Sequence, residues 1–235
     1  MYFDDVMDYL EEHGNENTKK IFTRHGAREP FFGVKVGDLK VIVKKIKKDY
    51  ELSKKLYDTG NSDAMYLAGL IADETKMTKV ELQNWAGKAY WYMLSEYTVP
   101  YVAQESGYKY ELAREWMKSD KEGICSAGWS TFAGIIAIDE NETLPFEEIL
   151  ELLTFIEKNI HDCQNRVRYT MNGFVIAAGS YIPELHERAK EVAGVIGKVK
   201  VDMGGTSCKV PFAVEYIQKI VDMGRLGRKR KAARC

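Results

Sequence analysis

Apolar side chains recur three and four residues apart along nearly the whole chain, and almost no segment shows the strict alternation of a half-buried strand. Val36–Lys48 is the plainest case. Leu39, Ile42, Val43 and Ile46 fall at i, i+3, i+4 and i+7, leaving Lys40, Lys44, Lys47 and Lys48 largely on the other side. The same period predicts helices over Tyr2–His13, Glu16–Arg24, Tyr50–Asp58, Ser62–Ala72, Asn165–Ala178, His186–Ile196 and Pro211–Met223. Thr78 and Glu81 have the spacing of a capping box, so a helix starts there, and another starts near Pro145. Val199-Lys200-Val201 alternates but has no evident partner strand, so 197–207 reads as an ordered loop.

Three of these segments repeat a pattern, with Gly69, Gly134 and Gly173 each set inside an apolar helix. A mid-helix glycine costs roughly 0.5–1 kcal/mol, which close approach of a neighbouring helix can offset. The spacings of 65 and 39 residues are irregular. They fit degenerate helix pairs of about 40–47 residues. The predicted fold is therefore all-α, a HEAT-like helical repeat solenoid with a concave binding face. One domain is expected over 1–223, followed by a basic, mobile tail over 224–235, too poor in apolar residues to pack.

Net charge of −1 conceals strong asymmetry. Residues 35–55 carry eight lysines against three acids, 139–162 carry eight acids against one lysine, and 219–235 carry seven basic residues against one acid. A basic face suits phosphates, whereas the acidic block reads as a solvated helix surface. Cys125, Cys163, Cys208 and Cys235 form no CxxC pair and the four histidines no HExxH, so neither metal nor cofactor is expected. The longest apolar run is far short of a membrane span, and the N-terminus is acidic where a secretory signal is basic. A cytoplasmic monomer is the expectation.

Phe31-Phe32-Gly33-Val34-Lys35 and the series Leu70-Ile71-Ala72-Asp73, Met77-Thr78, Leu82 and Trp85 resemble the HEAT-like alkylpurine DNA glycosylases, the DNA alkylation repair family. The likeness runs from about residue 30 to 220. It implies removal of cationic N3- and N7-alkylated purines from duplex DNA, with aromatic walls in the concave cleft and a carboxylate that stabilises the developing oxocarbenium sugar. Counted without a gap from Trp85, the family's Trp-x-x-x-Asp pair falls on Tyr92 and Glu96, the candidate catalytic residues. Shifting the frame by one aligns Trp91 but puts Ser95 where the acid belongs. The family's arginine before Ala-Gly is Ser126 here, and its second aromatic wall falls at Asn172 or Gly173.

Arg166, Arg168 and Lys209, with Arg228, Lys229, Arg230 and Lys231 of the tail, are the candidate DNA-binding cations. Gly204–Lys209 could cradle a phosphate but reads better as a helix-entry turn, and Trp85, Trp116 and Trp129 read as core. Two functions are open. One is a DNA-binding repair protein that excises alkylated purines, or a weakened relative that binds damaged or distorted DNA. The other is a non-enzymatic HEAT-like adaptor for proteins.

Overall fold

A computed structural model describes residues 1–234. Cys235 lies outside the described residues. The chain folds as α1 (Phe3–Glu12), α2 (Glu16–Arg24), α3 (Val36–Ile46), α4 (Tyr50–Asp58), α5 (Ser62–Ile71), α6 (Lys79–Lys88), α7 (Val99–Ala103), α8 (Lys109–Met117), α9 (Glu122–Ile138), α10 (Phe146–Asn159), α11 (Asn165–Tyr181), α12 (His186–Ile196) and α13 (Ala213–Asp222). A π-helical turn, Leu94–Thr98, leads straight into α7. No strand occurs among the described residues.

Local chemistry sets the helix starts. Asn15 and Asn61 accept backbone N–H bonds at the heads of α2 and α5, and Thr78 with Glu81 closes the expected capping box on α6. Glu81 also meets Tyr50 at 2.7 Å and Lys54 at 3.4 Å on α4. That link begins a ladder along the outer layer. Lys79 on α6 reaches Glu111 and Glu115 on α8, Arg114 on α8 forks onto Glu148 of α10, and Glu157 of α10 pairs with Arg188 of α12. Each exposed rung contributes only roughly 0.2–1 kcal/mol, but together they fix the register of successive repeats. The acidic stretch 139–162 thus does more than face water, because Glu148 and Glu157 are rungs and Asp139 holds Lys109.

The inner layer consists of α5, the π-turn with α7, α9, α11 and α13. Gly69 lets α5 press on this turn, where a Cβ would stand 2.5 Å from Thr98 Cγ2. At Gly134 a Cβ would overlap the Gln104 carboxamide. Gly173 departs from the pattern: nothing lies within 4 Å of its Cβ position, because it faces open space. Trp85, Trp116 and Trp129 are core residues as expected, Trp85 stacking on Tyr57 at 4.0 Å.

Two segments cross between the ends of the superhelix. The 197–212 loop runs over the first turn of α11, bonding Asn165 through Asp202, and at Gly204 it passes the Arg24 carbonyl of α2. The tail follows the opposite edge. Gly227 N–H donates to Ser180 O, Lys229 Nζ to Ile136 O, Arg230 N–H to Ala137 O and Arg234 Nη1 to Ala72 O. Expected as a mobile arm, the tail instead lies along the carboxyl ends of α11, α9 and α5. Cations suit the negative ends of helix dipoles, and they find backbone carbonyls where composition offers no apolar surface to pack.

Candidate nucleic-acid interface

The inner helices enclose a trough of about 460 Å³. The π-turn and α7 supply Tyr97 and Tyr101, α11 supplies Tyr169 and Tyr181, and α13 supplies Tyr216. Pro100 has no N–H to return to the Glu96 carbonyl, a gap that the wider π-turn accommodates. Downstream of Trp91 and Tyr92 the helix face therefore turns, and Tyr97 and Tyr101 meet edge to face with centroids 6.2 Å apart.

Glu96 lies at one end of this trough, and both of its oxygens are taken. Arg166 donates Nε–H to Oε1 at 2.6 Å and Nη2–H to Oε2 at 2.5 Å. Its guanidinium is sandwiched between the rings of Tyr92 at 4.6 Å and Tyr169 at 4.4 Å. Met203 of the crossing loop touches Nη1, and Glu122 accepts the Arg166 backbone N–H. The Glu96 side chain is only 2% exposed. Burial pushes its carboxyl up to about 7, against the opposing pull of Arg166. The Tyr92 hydroxyl lies 3.2 Å from His25 Nδ1, and burial pushes the phenol up to about 12.

Glu96 lines the trough, and Tyr92 lies against the Arg166 guanidinium that holds it. Trp91 is core, its Nε1–H donating to His25 O at 2.7 Å while it packs on Phe22. Ser95 is buried beside Gly123. Ser126 is fully buried and brings no cation to the trough. Asn172 is buried with its amide on Pro211 O, so no aromatic wall stands there.

The remaining candidate cations fall into two groups. Arg168 and Lys209 share a cavity of about 590 Å³ with Lys198 and Lys200 on the loop edge. Arg168 does not join Arg166, since it is held by Asn165 Oδ1 and His161 O. Gly204–Lys209 makes its own turn, with Asp202 accepting from Gly204 N–H and Thr206 from Cys208 N–H. On the other edge Arg228, Lys229 and Arg230 join Arg225 around a cavity of about 330 Å³, with Lys231 exposed nearby. Lys229 is shifted downward by burial and spends its ammonium on Ile136 O.

Sequence reasoning assigned no role to the tyrosines of the trough, and it missed Gln104, Arg225, Lys198 and Lys200 as site residues. Tyr169 was within reach, since it stands at i+3 from Arg166 on a helix already assigned. Among the described residues no group of His, Cys, Asp and Glu could hold a metal ion, and no helix is long and apolar enough to cross a membrane.

Fold and interface together define an all-α HEAT-like repeat protein whose inner face is tyrosine-lined and flanked by cations. Residues 6–209 match the family model described as DNA alkylation repair enzyme. An uncharacterized protein of Listeria monocytogenes is 36% identical over 223 residues, 92% of this chain and 96% of its own. One from Listeria innocua is 35% identical over the same shares. A solved structure, described as a new family of proteins related to the HEAT-like repeat DNA glycosylases with affinity for branched DNA structures, is 40% identical. It superposes with a TM-score of 0.92 over 100% of both chains. The chain belongs to the DNA alkylation repair enzyme family. The Phe31–Val34 stretch that first suggested this is structural, because Asp63 accepts the N–H groups of Phe32, Gly33 and Val34.

Proposed function

We propose that the protein binds branched DNA on its inner face and does not excise alkylated bases. The observation that carries this reading is the closed state of Glu96. A carboxylate that is to stabilise an oxocarbenium sugar must lie open to it, and Glu96 is buried with both oxygens on Arg166. Opening it would leave a buried arginine without its partner, a change that costs about 3–5 kcal/mol. The binding half is supported by the cations of the tail cavity that adjoins the trough, by a second cationic cavity at the 197–212 loop, and by the branched-DNA affinity described for the structural neighbour. Two charged edges suit two diverging arms better than one straight duplex.

The test is anisotropy with a labelled three-way junction and a duplex of equal length, alongside assay of purine release from methylated DNA. The junction should bind more tightly. If about six cations engage phosphates, affinity should fall about a thousandfold between ~50 and ~200 mM salt. No methylated purine should be released. Equal affinity for both DNAs, or purine release abolished in Glu96→Gln, would overturn the proposal. Salt-insensitive binding would return the protein to the adaptor class.

A further inference from the structure

We infer that the trough takes one unpaired nucleotide of a branched DNA, its base among the tyrosines and its phosphate on the tail. The inference rests on the DNA-binding reading and adds which part of the DNA enters the protein. Three features of the same place point to it.

The first is shape and surface. A cavity of about 460 Å³ is in the usual range for small-molecule sites. Its tyrosine faces offer what an unstacked base seeks, because aromatic stacking accepts any base. A paired base could not reach them. The opening exists because Gly173 carries no side chain, and nothing lies within 4 Å of where a Cβ would be.

The second is an unused polar group. Gln104 lines the trough, where its carboxamide makes no protein hydrogen bond among the described residues and is not among the polar atoms sealed from solvent. An amide on the wall of the trough is free to bond whatever enters it. It offers an acceptor and two donors to a base edge. Gly134 makes room for it, since a Cβ there would stand 1.3 Å from Oε1.

The third is charge. The trough and the tail cavity share Tyr181 and Arg230, so the two are contiguous. Arg225 and Arg228 line the tail cavity, and their guanidinium groups form no ion pair among the described residues. A base seated among the tyrosines would have its phosphate at this exit. At the far end Arg166 neutralises Glu96, the one carboxylate lining the trough, so the phosphate meets no unpaired negative charge there.

The test compares three junctions that differ at one nucleotide of the branch point: fully paired, carrying one unpaired adenine, and carrying an abasic site at that place. The unpaired adenine should raise affinity about 5–150-fold over the paired junction, and the abasic site should remove the gain. Replacing that adenine by 2-aminopurine should show its fluorescence quenched on binding. Gly173→Trp, whose Cβ position has no atom within 4 Å, puts an indole into the trough and should lose the preference for the unpaired adenine, with circular dichroism reporting that it folds. Arg225→Ala with Arg228→Ala should weaken the unpaired junction more than the paired one. Equal affinity for the adenine and abasic junctions, or unchanged preference in Gly173→Trp, overturns the inference while leaving junction binding intact. Absence of salt-dependent binding to every DNA overturns both.

Discussion

Alanine placed at two inner-helix glycines should change stability in opposite directions. Gly128 and Gly173 both lie inside long helices, α9 and α11, where glycine is worse than alanine by about 1 kcal/mol. At Gly173 that intrinsic gain is all that changes, because no atom lies within 4 Å of the new methyl. Gly173→Ala should raise the unfolding free energy by roughly 0.5–1 kcal/mol. At Gly128 the methyl would stand 2.5 Å from Met117 N and 2.9 Å from both Ala113 O and Trp116 C. These are backbone atoms of α8 and its exit, so no side chain can swing away, and α8 must withdraw from α9. Overpacking of this kind costs about 1–3 kcal/mol, here at the upper end, and the helix-propensity gain offsets only part of it. The two variants should therefore differ by roughly 2–3 kcal/mol, a large fraction of a domain's stability. Equilibrium urea denaturation followed by circular dichroism reads the difference as separated midpoints with equal slopes. A Gly128→Ala protein as stable as the parent would refute the claim that α8 and α9 meet backbone to backbone at this point.

Two further predictions concern the closed carboxylate and the tail. Burial holds Glu96 at about 7 when folded against about 4.3 when unfolded, so the folded chain keeps the proton longer. Its contribution is fully present below about 4.3 and is lost as pH rises through about 7, so across that window the parent should lose up to about 4 kcal/mol relative to Glu96→Gln. A pH-independent difference in denaturation midpoints between the two proteins would contradict this. The Gly227 and Arg230 amides should exchange slowly with deuterium, since they donate to Ser180 O and Ala137 O. Arg234→Ala, which frees the Ala72 carbonyl and leaves Glu74 to Lys48, should speed that exchange. Rapid exchange of both amides in the parent would show the tail to be a free arm.

How far the sequence could be read depended on the range of the contacts involved. Helices α2, α4 and α12 begin and end where the period and the caps place them, because asparagine, aspartate and glycine act within a few residues. The choice between Tyr92–Glu96 and Trp91–Ser95 could not be made that way. The placement of Trp91 turns on its donation to His25 O, a bond spanning 66 residues that commits that ring to the core. The trough was hidden for a related reason: its tyrosines come from four separate elements, and the π-turn just before Pro100 shifts the face on which Tyr97 and Tyr101 emerge. The tail was misread because its partners are carbonyl groups, which every sequence carries and none advertises.

One face of α11 accounts for how this interface departs from an open catalytic carboxylate. Arg166, Tyr169 and Gly173 follow at i, i+3 and i+7, the spacing that aligns side chains along a helix. The first closes Glu96 with two short bonds, the second stacks on the guanidinium that does so, and the third removes the side chain that would fill the trough beyond. Closing the carboxylate and opening the trough therefore have one structural source. A substitution on this face acts on both. Arg166 cannot be lost without exposing a buried carboxylate, and Gly173 cannot gain a bulky side chain without filling the space that the tyrosines enclose. The same eight-residue stretch that pairs the acid with arginine leaves the trough open, so the binding reading and the unpaired-nucleotide reading are physically linked while remaining separable by experiment.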